Sequence, residues 1–138
     1  MGRVLAIDYG QKRIGIAVTD PLRIAANGLT TVSPAEIFQF LIQYFEEESV
    51  DVVVIGLPKQ MNNEPSDSMR FITPFVNGFK KRFPDKSVIM FDERFTSKLA
   101  HQAMLEGGLK KKDRQNKALV DQISATILLQ SYLETLQL

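Results

Sequence analysis

The stretch Val4-Leu5-Ala6-Ile7-Asp8-Tyr9-Gly10 carries apolar side chains straight into a carboxylate, and it constrains the fold more than any other part of the chain. Arg3 to Tyr9 reads as a buried strand, Gly10-Gln11-Lys12-Arg13 as a turn, and Ile14 to Thr19 as the hairpin partner. A carboxylate set against a buried strand is costly to desolvate unless a cation, a positive side chain or hydrogen bonds compensate it. Acidic groups recur at two later points, Asp92-Glu93-Arg94 after another strand and Asp121 inside a late helix. Acidic points drawn from three distant segments predict one cation cage.

The rest of the chain alternates. Ala25 to Val32, after a loop containing Pro21, adds a third strand. Ser33 is expected as an N-cap, Pro34 as the first helical residue and Glu36 as an acid in the first turn, opening a helix to about Glu48. Its apolar residues Ile37, Phe38, Leu41, Ile42 and Phe45 recur at helical spacing. The β-branched run Val50 to Ile55, closed by Gly56, reads as a strand covered on both faces. Leu57 to Asp67 is a polar loop with two prolines, of a length that points to function. A helix over Ser68 to Phe83, a turn at Pro84-Asp85 and a strand over Ser87 to Phe91 follow. Thr96 or Ser97 caps a helix stopped by Gly107-Gly108, and Gln115 to Leu136 forms a last long helix. An antiparallel unit followed by helix, strand, helix, strand, helices predicts an α/β fold, a mixed sheet with helices on its faces.

At 138 residues and 44% hydrophobic composition, the chain is expected to form one domain, residues 1–138, with its own core. It has no cysteine, which excludes disulfide frameworks, thiolate zinc sites and cysteine nucleophiles. A net charge of +1 gives no global attraction for a polyanion, yet Lys80-Lys81-Arg82 and Lys110-Lys111-Lys112 with Arg114 and Lys117 concentrate positive charge locally. Alone, these clusters read as solvated surface; beside a phosphodiester-cleaving site they become nucleic-acid contacts. With no basic-then-apolar leader and no apolar stretch long enough to span a bilayer, a cytoplasmic location and no membrane partner are expected.

Each acidic point has an ordinary alternative. Asp8 in Asp-x-Gly is a common turn former, but Gly10 and Gly15 around the hairpin keep bulk away from its carboxylate and let a substrate backbone approach. Asp92 and Glu93 are adjacent on a strand and so face opposite ways, which leaves one of them for the pocket. The alternative is a solvated edge pair, or Asp92 bridged to Arg94. Asp121 lies four residues after Lys117, a spacing that suits an exposed ion pair. It also shares a helix side with Ala125, Leu128 and Tyr132, next to the stripe of Val120, Ile123 and Ile127, which makes it a boundary residue. Ser124 and Ala125 are small enough to bring that helix close to the sheet. His101 reads as a helix-surface residue.

In this order and setting, Ile7-Asp8-Tyr9-Gly10 with Gly15, Gly56-Leu57-Pro58, Asp92-Glu93-Arg94-Phe95-Thr96 and Asp121-Gln122-Ile123-Ser124-Ala125 resemble the YqgF-type family. That family comprises Holliday-junction-resolvase-like nucleases of pre-16S ribosomal RNA within the ribonuclease H-like superfamily. The resemblance covers essentially the whole chain; Ser124, where the family often has alanine, is a mild departure. It implies a ribonuclease H-like mixed five-stranded sheet with helices on both faces. It also implies a catalytic and metal-binding triad of Asp8, Glu93 and Asp121 holding Mg²⁺ or Mn²⁺ in a two-metal arrangement, with Glu93 preferred to Asp92. Lys12, Arg13, Arg94, Thr96, Lys110, Lys111, Lys112, Arg114 and Lys117 are then expected to hold substrate phosphates, Arg94 through its bidentate fork. The expected reaction is endonucleolytic cleavage of structured RNA, at the 5′ end of pre-16S rRNA. The alternatives are branched DNA as substrate, or a non-catalytic RNA-binding module. A monomer or a homodimer is compatible with these readings.

Overall fold

A computed structural model describes residues 2–57, 69–92 and 117–136, with side chains from 120 onward in the last segment. The strands are β1 (Arg3–Tyr9), β2 (Ile14–Thr19), β3 (Ala26–Val32), β4 (Val50–Leu57) and β5 (Ser87–Asp92); the helices are α1 (Ile37–Glu47), α2 (Met69–Arg82) and α3 (Lys117–Thr135). They form one five-stranded sheet in the order β3-β2-β1-β4-β5. β1, β2 and β3 pair antiparallel as a meander, whereas β4 lies parallel to both β1 and β5. The expected mixed sheet is therefore present.

Alternation along the strands divides the core. Leu5, Ile7, Ile14, Ile16, Val18, Val53 and Ile55 meet Ile37 and Leu41 of α1 and Ile72, Phe75, Val76 and Phe79 of α2. Val4, Ala6, Ala17, Val54 and Phe91 face the other way and meet Ala125, Leu128, Leu129 and Leu133 of α3. Helices thus cover both faces, since each strand's two sets of side chains need burial. On the first face aromatic rings fill the layer: Phe79 lies 6.2 Å from Phe75 and 4.9 Å from Phe83 between ring centroids, and Phe45 meets Phe83 edge-on at 5.0 Å.

The start of α1 departs from expectation. The helix begins at Ile37 with Glu36 as N-cap, without a side-chain capping bond and with no acid in its first turn. Residues 34–36 form a turn instead, closed by the Glu36 N–H donating to the Ser33 carbonyl at 3.0 Å. Because β3 runs through Val32, the chain must reverse before a helix can start, and the backbone bond of that reversal replaces the expected Ser33 cap. The polar loop after Leu57 and the helix expected to end at Gly107-Gly108 lie outside the described residues. Among the described residues, no helix is long and apolar enough to cross a membrane.

β1, β4 and β5 run the same way, so Tyr9, Leu57 and Asp92 end on one edge of the sheet. The neighbours of β1 are antiparallel β2 and parallel β4, and sheets of this kind bind ligands outside their carboxyl ends where such reversals occur.

Candidate active site at the carboxyl edge

Val4 and Ala6 pack against α3, so the two-residue period of the strand turns Asp8 to that side, while Leu5, Ile7 and Tyr9 face α1 and α2. Asp8 pairs with Gly15 of β2, a cross-strand separation of about 5 Å between Cα atoms. One step along β4 beyond the Ile7↔Ile55 pair stands Gly56. The carboxylate at the end of the central strand is thus flanked by two glycines.

Gly15 does more than leave space. A Cβ placed on it would run into the backbone carbonyl of Asp121, so α3 rests directly on β2 here. A second glycine, Gly28 of β3, has Thr126 Oγ1 at 3.3 Å and Gln122 Oε1 at 3.4 Å from where its Cβ would stand. Small residues in the sheet, together with the expected Ser124 and Ala125, let the helix come close. The structure thereby brings Asp8 and Asp121 to one end of one face, the first as cross-strand partner of Gly15 and the second through its carbonyl over the same residue.

Arg13 completes the described constellation. Its Nε donates to Asp121 Oδ2 at 2.7 Å, with the arginine side chain 38% exposed and the aspartate 24%. The turn that delivers it is tight, since a Cβ on Gly10 would meet the Arg13 carbonyl. On the opposite face Tyr9 anchors the strand end, its ring 4.7 Å from that of Phe75, and burial raises the pKa of its hydroxyl. The Lys117 side chain expected beside Asp121 lies outside the described ones; the Asp121 carboxylate is paired with Arg13, 108 residues away in sequence. No periodicity in the sequence could signal that partner.

The remaining expected residues divide into two groups. Lys12 is exposed in the β1–β2 turn, and Lys117 opens α3 with its side chain outside the described ones. Glu93, Arg94, Thr96, Lys110, Lys111, Lys112 and Arg114 lie outside the described residues. Asp92 ends β5, where Ile89 and Phe91 pack on the α3 side and Phe91 meets Tyr132 edge-on at 6.4 Å. Asp92 therefore falls on the face opposite Asp8.

Among the described residues, no group of three or more His, Asp and Glu is close enough together to hold a metal ion. Asp8 and Asp121 nevertheless fit one. They offer hard oxygens, which suit Mg²⁺ or Mn²⁺, and Asp121 already holds a positive group.

Known proteins resemble this chain along its whole length. Residues 2–135 match the family model described as RuvX: Holliday junction resolvase. A curated relative from Bacteroides fragilis, named "Putative pre-16S rRNA nuclease", is 64% identical over 138 residues, covering 100% of both chains. Among solved structures, fowlpox virus resolvase in complex with Holliday junction DNA matches with a TM-score of 0.60 at 19% identity, covering 97% of this chain and 98% of that one. RuvC from T. thermophilus in complex with a Holliday junction substrate matches with a TM-score of 0.56 at 15% identity, covering 98% and 96%. These two show the fold, which this chain shares with both resolvases. With a family model spanning nearly every residue and a relative sharing almost two thirds of its sequence from end to end, the chain belongs to the RuvX family.

Proposed function

We propose that this protein is a metal-dependent endonuclease that hydrolyses phosphodiester bonds in structured RNA, acting at the 5′ end of the pre-16S rRNA in the cytoplasm. The observation that carries the reading is the convergence of Asp8 and Asp121 on Gly15 at the carboxyl edge. Glu93 is the third carboxylate of the proposal. Phe91 faces α3 and Asp92 the opposite side, which disfavours Asp92, and the family resemblance assigns the place to Glu93.

Bound there, Mg²⁺ or Mn²⁺ supplies an activated water and offsets charge on the leaving oxygen. Asp8, fixed on the central strand, and Asp121, held through the contact of its own backbone with Gly15, are the described residues that would hold the ion. Lys12 and Arg13 in the turn, with Arg94, Thr96, Lys110, Lys111, Lys112, Arg114 and Lys117, are the groups assigned to the substrate backbone. Such contacts position a polyanion without reading its bases.

A second reading has its own support, because the family description and both solved structures concern Holliday junctions. RNA is favoured because the relative named for rRNA shares 64% of its residues. The test incubates purified protein with precursor rRNA and with a four-way DNA junction, each with Mg²⁺ or Mn²⁺, beside Asp8→Asn. Cleavage of the RNA is expected to fall at least a hundredfold in the variant, with its circular dichroism unchanged. Cleavage of the junction alone would move the assignment to DNA. Undiminished cleavage by Asp8→Asn would remove Asp8 from the mechanism.

A further inference from the structure

We infer that Arg13 is the resident counter-cation of Asp121 and acts as a switch, yielding that carboxylate to the divalent ion and passing its own charge to a substrate phosphate. The inference rests on the reading of Asp121 as an ion ligand. The bond from Nε to Oδ2, at 2.7 Å, is short and charge-assisted. A guanidinium and a divalent ion held on one carboxylate repel each other, so occupancy by one weakens occupancy by the other. At 38% exposed against 24%, the arginine is the more solvated partner, and it enters from the β1–β2 turn at the rim of the sheet. Ion pairs this exposed contribute little to stability, so the arginine can leave at little cost, and its planar fork suits a phosphate.

A purely structural role has a different signature. If Arg13 only pins α3 to the turn, removing it loosens the site, and ion and RNA binding weaken together. A switch gives opposite signs. The experiment measures Mn²⁺ affinity by electron paramagnetic resonance, without nucleic acid, for the wild type, Arg13→Gln, Arg13→Lys and Asp8→Asn. It also follows binding of a fluorescent RNA hairpin by anisotropy in Ca²⁺ over a range of salt concentrations. Arg13→Gln is expected to bind Mn²⁺ about 3- to 10-fold tighter, and to bind RNA several-fold more weakly with a salt slope smaller by about one. Arg13→Lys, which keeps the charge, is expected to stay within about twofold of the wild type in Mn²⁺ affinity, and it carries the test should the glutamine variant fold poorly. Unchanged or weaker Mn²⁺ binding by Arg13→Gln overturns the switch, as does a lysine variant that behaves like the glutamine one. Absence of Mn²⁺ binding in the wild type, or binding indifferent to Asp8→Asn, overturns the nuclease reading itself and the switch with it.

Discussion

On the face covered by α1 and α2 the three central strands present Leu5, Ile7, Ile14, Ile16, Val18, Val53 and Ile55, all buried. On the face under α3 the same strands present Val4, Ala6, Asp8, Gly15, Ala17, Val54 and Gly56. The bulky face keeps its helices at a distance and fills the gap with interlocked aliphatic and aromatic side chains. The small face lets α3 lie against the strand backbone, so the position of Asp121 is fixed by a backbone contact. One face stores stability and the other holds geometry. Lost volume should therefore damage the first, whereas added volume should damage the second.

The largest stability effect expected from this contrast is at Phe79, fully buried between α2 and the sheet. Phe79→Ala should cost about 3–5 kcal/mol, measured by urea unfolding, while the folded fraction keeps its Mn²⁺ affinity. A loss of ion binding larger than the unfolded fraction explains would break the separation of the faces. Gly15→Ala comes next, at about 1–3 kcal/mol. Because its new methyl meets the carbonyl of Asp121, Mn²⁺ affinity should fall by more than tenfold. Wild-type affinity in that variant would mean that α3 does not depend on this contact.

Gly28→Ala sharpens the same comparison. Its added Cβ would stand 3.3 Å from Thr126 Oγ1, a contact relieved by a shift of a few tenths of an ångström, on an exposed edge strand. The stability change should stay under about 1 kcal/mol, with ion binding unaltered. A change as large as that at Gly15 would show that close approach along the whole helix matters, and not only at Asp121.

The smallest expected effect lies away from both faces. The Asp20 carboxylate accepts the N–H groups of Ala25 and Ile24 at 2.9 Å and of Leu22 at 3.1 Å, and these bonds, the one from Ala25 foremost, hold its pKa below the usual value. A depressed folded-state pKa contributes stability above the unfolded value, about 3.9, and that stability is lost as pH falls through the folded one. The urea midpoint should therefore drop slightly more steeply below about pH 4 in the wild type than in Asp20→Asn. Equal slopes would remove Asp20 from the acid response.

Most of the fold was legible because β-branched runs and two-residue alternation are local signals, and all five described strands fall within two residues of where they were expected. The Ser33 cap failed because a capping rule sees only the helix, whereas the reversal out of β3 claimed residues 34–36 for a turn. At the site, Asp8 was legible as a carboxylate closing an apolar strand. Alternation leaves Asp92 and Glu93 as alternatives for the site, and the packing of Phe91 puts Asp92 on the face opposite Asp8. Arg13 was read only as a phosphate contact. Its bond to Asp121 spans 108 residues, and such a pairing exists only once β2 and α3 are stacked, so no spacing in the chain encodes it.

The central claim, that Asp8 and Asp121 share one cation at the carboxyl edge on the α3 face, is tested most directly by anomalous diffraction from crystals grown with Mn²⁺. The expected result is a manganese peak bound by both carboxylates beside Gly15, absent from crystals of Asp8→Asn. A peak held elsewhere, for instance by Glu46 and Glu47 at the end of α1, with none between Asp8 and Asp121, would contradict it.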